Sequence, residues 1–322
     1  EGWVPDNAKQ FFTKYLEGEK CQKLSDNERK SLRDSCTRIL AQSVPPGRKA
    51  RRTGLIMGRV QSGKTMSFTG TIAMARDNGY KVFIVIAGAT NLLKSQSIDR
   101  QKDDLGRRQG YTFIDFSANA NEGTVQRHIS SALRQGSDKA VVIHLLCRTR
   151  TPKQGLKTQG IDKLCKILEN LAQTDPHTYS TLTNTGVLII DDEADEASLD
   201  AGKRKRKKKP QTPFTATYAS IQRLRRLFQS HTYLQYTATP QGPLLVDTID
   251  SMAPDFFELL TPGSAYCGLE EYFPDSSNSF PNQHGSFHPG SYWRDISASD
   301  VEEMLDPTHP CLPESLQKAI RF

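Results

Sequence analysis

The chain has 322 residues, 25% charged and 36% hydrophobic, which is enough for a sizeable core and more than one lobe of an ordinary globular protein. No apolar run approaches the roughly 18 residues that a membrane-spanning helix needs, and the N-terminal stretch lacks the apolar centre of a signal peptide, so no membrane association is expected. The net charge of +7 excludes less than it suggests: the run KRKRKKK, Lys203 to Lys209, supplies seven positive charges, and the other 36 Lys and Arg balance 36 Asp and Glu.

The basic excess therefore describes one segment, and charge alone argues weakly for nucleic acid. Six scattered cysteines form no C-x-x-C pair and have no His at metal-ligand spacing, so buried, reduced thiols in a cytoplasmic protein are expected. The chain opens on Glu1 and closes on PESLQKAIRF, which reads as an interrupted helix, so a fragment of a longer protein is expected.

Residues 1–50 read as a small helical segment. NAKQFFTKYLEG puts Phe11, Phe12, Tyr15 and Leu16 on one stripe. SDNERKSLRDSCTRILAQSV offers Ser25 as a cap and Leu32, Cys36, Ile39 and Leu40 as a second stripe. PPGRKARRTG follows as a basic, turn-rich linker, in which Arg48, Arg51 and Arg52 are placed either to meet a base or phosphate or to lie in solvent.

From Gly54 short β-like runs alternate with helical ones. GLIMG, KVFIVIAG, YTFIDF, KAVVIHLL, TGVLIIDDEAD and TYLQYTATP read as strands. KTMSFTGTIAMARDNG, NLLKSQSIDRQKDDLG, EGTVQRHISSALRQG, GIDKLCKILENLAQ and TYASIQRLRRLFQS read as the helices between or beside them. Residues 51–260 are thus expected to form an α/β lobe, a mostly parallel sheet with helices on both faces. Residues 261–322, rich in Gly, Pro, Ser and aromatics, read as an irregular extension.

Three constellations carry chemistry. The first is Gly58-x-x-x-x-Gly63-Lys64-Thr65, with Gln61, Ser62 and Met66 completing the loop and the helix start. Glycines let such a loop turn its N–H groups toward phosphate oxygens. Lys64 would reach the β- and γ-phosphates of ATP and Thr65 would offer a hydroxyl to Mg²⁺, while the following helix adds its positive end. The second is GVLIIDDEADEA. A buried strand here delivers Asp192 to hold Mg²⁺ and Glu193 to polarise the attacking water, with Asp191 trading places with Asp192 if the register slips by one. The third is YTATP, where Thr237 and Thr239 could hydrogen-bond the acidic cluster and couple the phosphate state to the rest of the protein.

In this order the three resemble superfamily-two helicases and translocases, whose lobes are RecA-like. The segment AGATNLLKSQ sits where that family keeps its first nucleic-acid-contacting motif. It makes Thr90, Asn91 and Gln96 candidates for a strand backbone, with helix capping as the alternative. A closer resemblance, over roughly residues 54–322, is to the Z-one domain family. It rests on GRVQSGKT, NGYKVFIVIAG, LIIDDEADEASL, YTATPQGPLLV, GSAYCGLEEYF and LPESLQKAIRF. These are bacterial proteins described as endonucleases with a helicase-like ATPase core, often beside restriction-type or phage-defence genes.

The resemblance implies an ATPase acting on DNA in defence, with other defence-system proteins as partners. The residues themselves supply no metal-dependent nuclease pattern, since Pro274-Asp275 has no Asp/Glu-x-Lys after it. Nothing after Pro240 reads as a second βαβ lobe and no Q/H-R-x-G-R run occurs, so a second RecA-like lobe is expected beyond residue 322. Lys203 to Lys209, including Lys205 and Lys207, could grip DNA phosphates or stay solvated. Two alternatives stay open beside the motor: the motor part of an endonuclease that cuts elsewhere, and a nucleotide-gated switch that organises partner proteins.

Overall fold

A computed structural model describes residues 3–59, 63–88, 91–106, 110–116, 120–147, 149–151, 155–157, 159–197, 215–240, 243 and 252–263. Gln61, Ser62, Thr90, Lys205, Lys207 and the whole of SAYCGLEEYF lie outside these.

Seven strands form one sheet, in which every pairing is parallel. They are β1 (Arg51–Met57), β2 (Val82–Ala87), β3 (Tyr111–Asp115), β4 (Ala140–Leu146), β7 (Val187–Asp192), β8 (His231–Thr237) and β9 (Phe256–Leu259), in the order β3-β4-β2-β7-β8-β1-β9. A separate antiparallel pair, β5 (Thr149–Thr151) and β6 (Gly155–Lys157), follows β4. The expectation of a mostly parallel, RecA-like sheet with helices on both faces therefore holds. β1 and β7 are not neighbours, because β8 runs between them. This places the end of YTATP's strand midway between the glycine-rich loop and the acidic motif.

The apolar runs are continuous because both faces of the sheet are covered. Along β2, Val82, Ile84 and Ile86 enter one core while Phe83 and Val85 enter the other. The first core is closed by α6 (Glu122–Leu133), α7 (Gln159–Thr174), α8 (Pro176–Thr185) and α10 (Ala216–Arg226). The second contains α4 (Lys64–Asp77), Leu105 at the end of α5 (Asn91–Leu105), and two of the N-terminal helices, α1 (Gln10–Leu16) and α3 (Asp26–Gln42). α2 (Glu19–Gln22) links those two, and α9 (Ala194–Ala197) holds the last four residues of the acidic motif.

The N-terminal helices stand directly on α4. Phe12, Tyr15, Cys36, Ile39 and Leu40 are buried against it, and Phe11 and Leu32 lie at the margin. Ser25 does cap α3, in a reciprocal box with Glu28. Backbone N–H groups of Phe11 and Phe12 donate to the Asp77 carboxylate at 3.1 and 2.8 Å, so the end of α4 caps the start of α1. Tyr15 Oη donates to the Met66 carbonyl at 2.7 Å, in the first turn of α4.

Several features differ from the sequence reading. Arg51 and Arg52 are structural: Arg51 Nε donates to the Phe228 carbonyl at 3.1 Å, and Arg52 Nη1 donates to the Gln42 carbonyl at 2.6 Å while its guanidinium covers Phe256. Arg225, on a helix whose sequence is rich in arginine, is buried and donates to Thr53 Oγ1 at 2.8 Å. Arg223 pairs with Glu169 instead. Two elements went unread. α8 begins at Asp175-Pro176, a cap-and-first-turn pattern visible in the sequence. β9 is a four-residue edge strand, too short for its alternation to stand out. Among the described residues, Cys21, Cys36, Cys147 and Cys165 are buried and none of them is in a disulfide. His144 is a core residue whose Nε2 meets Gln101 Oε1 at 2.9 Å, and burial lowers its pKa to about 3, so it is neutral.

Candidate functional site

The strands β1, β2, β7 and β8 all end at one edge of the sheet, and the candidate residues gather there. β1 ends at Met57, and the Gly58 N–H donates to the Thr237 carbonyl at 3.0 Å, tying the glycine-rich loop to the end of β8. The loop re-enters at Gly63, which precedes α4 with φ of +89°, a left-handed conformation that costs an L side chain but not glycine. Lys64, Thr65 and Met66 then form the first turn of α4, whose free N–H groups and dipole favour an anion.

β7 brings two adjacent aspartates to opposite faces. Asp191 is buried and accepts from Tyr233 Oη on the side of the first core. Asp192 faces the α4 side, which decides the register question left by the sequence. Lys64, Thr65, Asp192 and Glu193 line a single cleft of about 490 Å³, with Gly63 and Met66. Burial pushes the Asp192 carboxyl up to about 6, although the charges of Lys64 and Arg100 pull it down. Glu193 has φ of +72°, the one non-glycine positive φ among the described residues. Its N–H donates to the Tyr236 carbonyl at 3.0 Å, so β8 holds this strained turn in place.

Thr237 and Thr239 reach an acid that the sequence reading did not single out. Thr237 Oγ1 donates to Asp195 Oδ1 at 2.5 Å, Thr239 Oγ1 donates to the other oxygen, Oδ2, and the Thr239 N–H donates to Thr237 Oγ1 at 2.9 Å. Thr237 is buried and Thr239 exposed. Asp195 sits in α9, at the tail of the acidic motif, so the spacing of the DDEAD run was the available signal.

Gln96 lines the same cleft as Lys64. Asn91 begins α5. Four more residues around the cleft went unread: Ser97, Arg100 and Asp104 of α5, and Lys20 of α2, which pairs with Asp104 at 2.8 Å. Helical spacing from Gln96 could have found Arg100, whereas no local pattern links Lys20 to the loop.

Among the described residues no group of three or more His, Cys, Asp or Glu is arranged to hold a metal ion. A divalent ion delivered with a nucleotide needs less from the protein, one hydroxyl and one carboxylate completed by phosphate and water. Thr65 and Asp192, sharing the cleft, fit that requirement.

No family model and no curated protein matches the chain. Solved structures that it resembles include the DUF1998 helicase MrfA bound to DNA, at 12% identity and a TM-score of 0.47, covering 80% of this chain and 30% of that one. Mss116p bound to single-stranded RNA and AMP-PNP shares 17% identity at a TM-score of 0.40, covering 80% of this chain and 46% of that one. A DEAD-box protein from the hyperthermophile Methanococcus jannaschii shares 14% identity at 0.40, covering 81% of this chain and 57% of that one. The chain thus spans well under two thirds of the length of each of these proteins. No described helix is long and apolar enough to cross a membrane.

Proposed function

We propose that this chain is the nucleotide-binding lobe of a helicase- or translocase-like ATPase that acts on DNA in bacterial anti-phage defence. The observation that carries the reading is the convergence of Lys64, Thr65, Asp192 and Glu193 on one cleft at the sheet edge. Lys64 and the first turn of α4 would bind the β- and γ-phosphates of ATP. Thr65 and Asp192 would hold Mg²⁺, which when bound neutralises charge on the phosphates. Glu193 would orient and polarise the attacking water. The Thr237–Asp195–Thr239 cluster would relay the phosphate state outward, since Asp195 follows Glu193 by two residues.

Thr90, Asn91 and Gln96, with Lys205 and Lys207 of the basic run, are our candidates for DNA contact. In this proposal residues 1–50 brace the lobe formed by 51–260, and 261–322 lead toward a second RecA-like lobe that supplies the transition-state arginines. Membership of the Z-one family belongs to the same proposal and rests on the sequence resemblance; the motor part of an endonuclease that cuts elsewhere is the alternative reading.

The test is ATP turnover by the full-length protein with and without DNA, beside Lys64→Ala and Glu193→Gln. Turnover raised by DNA and abolished by both substitutions is the expected result. Nucleotide bound through Lys64 with slow turnover indifferent to DNA would replace the motor with a nucleotide-gated switch that organises partner proteins.

A further inference from the structure

The cleft has a second wall. α5 lines it with Gln96, Ser97, Arg100 and Asp104, of which 96, 100 and 104 repeat every four residues along one helical face. Two observations mark this wall as built for a polar visitor. Ser97 is 7% exposed, and its Oγ has no hydrogen-bond partner. A buried hydroxyl left in that state carries a desolvation cost that an arriving acceptor removes. Arg100 is exposed and makes no hydrogen bond or ion pair among the described residues. Its natural helical partner one turn on is Asp104, but Asp104 is already held by Lys20 at 2.8 Å. Lys20 therefore leaves the Arg100 guanidinium available.

The charges in the cleft point the same way. Lys64 and Arg100 both draw on the Asp192 carboxyl across the cleft, so a polyphosphate entering there meets a second cation beside Lys64. Arg100 supplies it, in a planar fork suited to phosphate oxygens.

We propose that Arg100 and Ser97 form a second phosphate-contacting wall that receives the terminal phosphate of a nucleoside triphosphate, so that this lobe distinguishes triphosphate from diphosphate with residues of its own. The proposal rests on the nucleotide reading of the cleft. The same fork would suit a nucleic-acid phosphate, but Arg100 shares a cleft with Lys64 and a buried, unpartnered hydroxyl, which favours the nucleotide.

The test is equilibrium binding of a non-hydrolysable ATP analogue and of ADP, each with Mg²⁺, to full-length wild type, Arg100→Ala, Arg100→Lys and Ser97→Ala. Arg100→Ala is expected to weaken the triphosphate by roughly tenfold to a hundredfold, the range of a lost charge-assisted contact. ADP affinity should stay unchanged, which also reports that the variant is folded. Arg100→Lys should recover part of the loss, because it keeps the charge and not the fork. Ser97→Ala should show a smaller loss of the same kind. Equal weakening of both nucleotides, or of neither, overturns the proposal. An unchanged ATP-to-ADP ratio with weakened DNA retention also overturns it and gives Arg100 to the nucleic-acid backbone. Wild type that binds neither nucleotide sinks the nucleotide reading itself, a failure distinct from that of Arg100.

Discussion

Asp192 offers a test of the site that needs no substrate. Its carboxyl is raised from 3.8 to about 6 because burial at the end of β7 disfavours the charge more than Lys64 and Arg100 favour it. A raised carboxyl loses stability as pH climbs from 3.8 to about 6, since the unfolded chain has already given up its proton. Above about 6 the penalty is complete, and it corresponds to an upper bound on the order of 3 kcal/mol. At pH 5 about half of it is present. Asp192→Asn removes the charge and keeps the shape. The nucleotide-free variant should therefore melt several degrees above wild type at pH 8, and the advantage should shrink by about half at pH 5. Thermal unfolding at the two pH values reads this directly. A variant level with or below wild type at pH 8, or an advantage that does not change with pH, would refute the argument that Asp192 is held ionised at a cost. That cost is what a cation arriving with the nucleotide would relieve.

Two further expectations concern the frame around the cleft. A Cβ on Gly54 would lie 2.3 Å from Cζ of Phe256, so Gly54→Ala should force that ring off β1 and cost ~1–3 kcal/mol, with amide exchange rising first at Phe256–Leu259. Unaltered protection of β9 would show that the ring moves aside without cost. Asp77→Ala removes the carboxylate that caps α1 and should cost ~1–2 kcal/mol, with proteolytic cleavage appearing near Gln10–Leu16; resistance equal to wild type would assign the hold on α1 to its apolar face alone.

Local chemistry written in the chain was legible. Gly63 followed by Lys64 and Thr65 specifies a left-handed turn and then a helix start, and the structure has both. The runs VFIVIA and AVVIHLL, short and rich in β-branched residues, read as buried strands, and in the structure their alternate residues enter separate cores. Ser25 and Glu28 specify their own capping box. These outcomes depend on neighbours within a few residues, so a sequence states them.

What only the tertiary structure decided depends on residues far apart in the chain. Which of Asp191 and Asp192 faces the loop follows from the pleat of β7 against β8, where a shift of one residue would exchange the two faces. That Thr237 and Thr239 grip Asp195 follows from β8 lying beside β7. Arg225 is buried although its helix reads as basic, because Thr53 of β1 meets it from 172 residues away. Arg100 faces the cleft, and Asp192 across it, without an ion pair along its own helix because Lys20, eighty residues earlier, has taken Asp104. A sequence lists charges and hydroxyls but not their distances, and in this cleft distance settles which of them are spent on one another and which remain for a ligand.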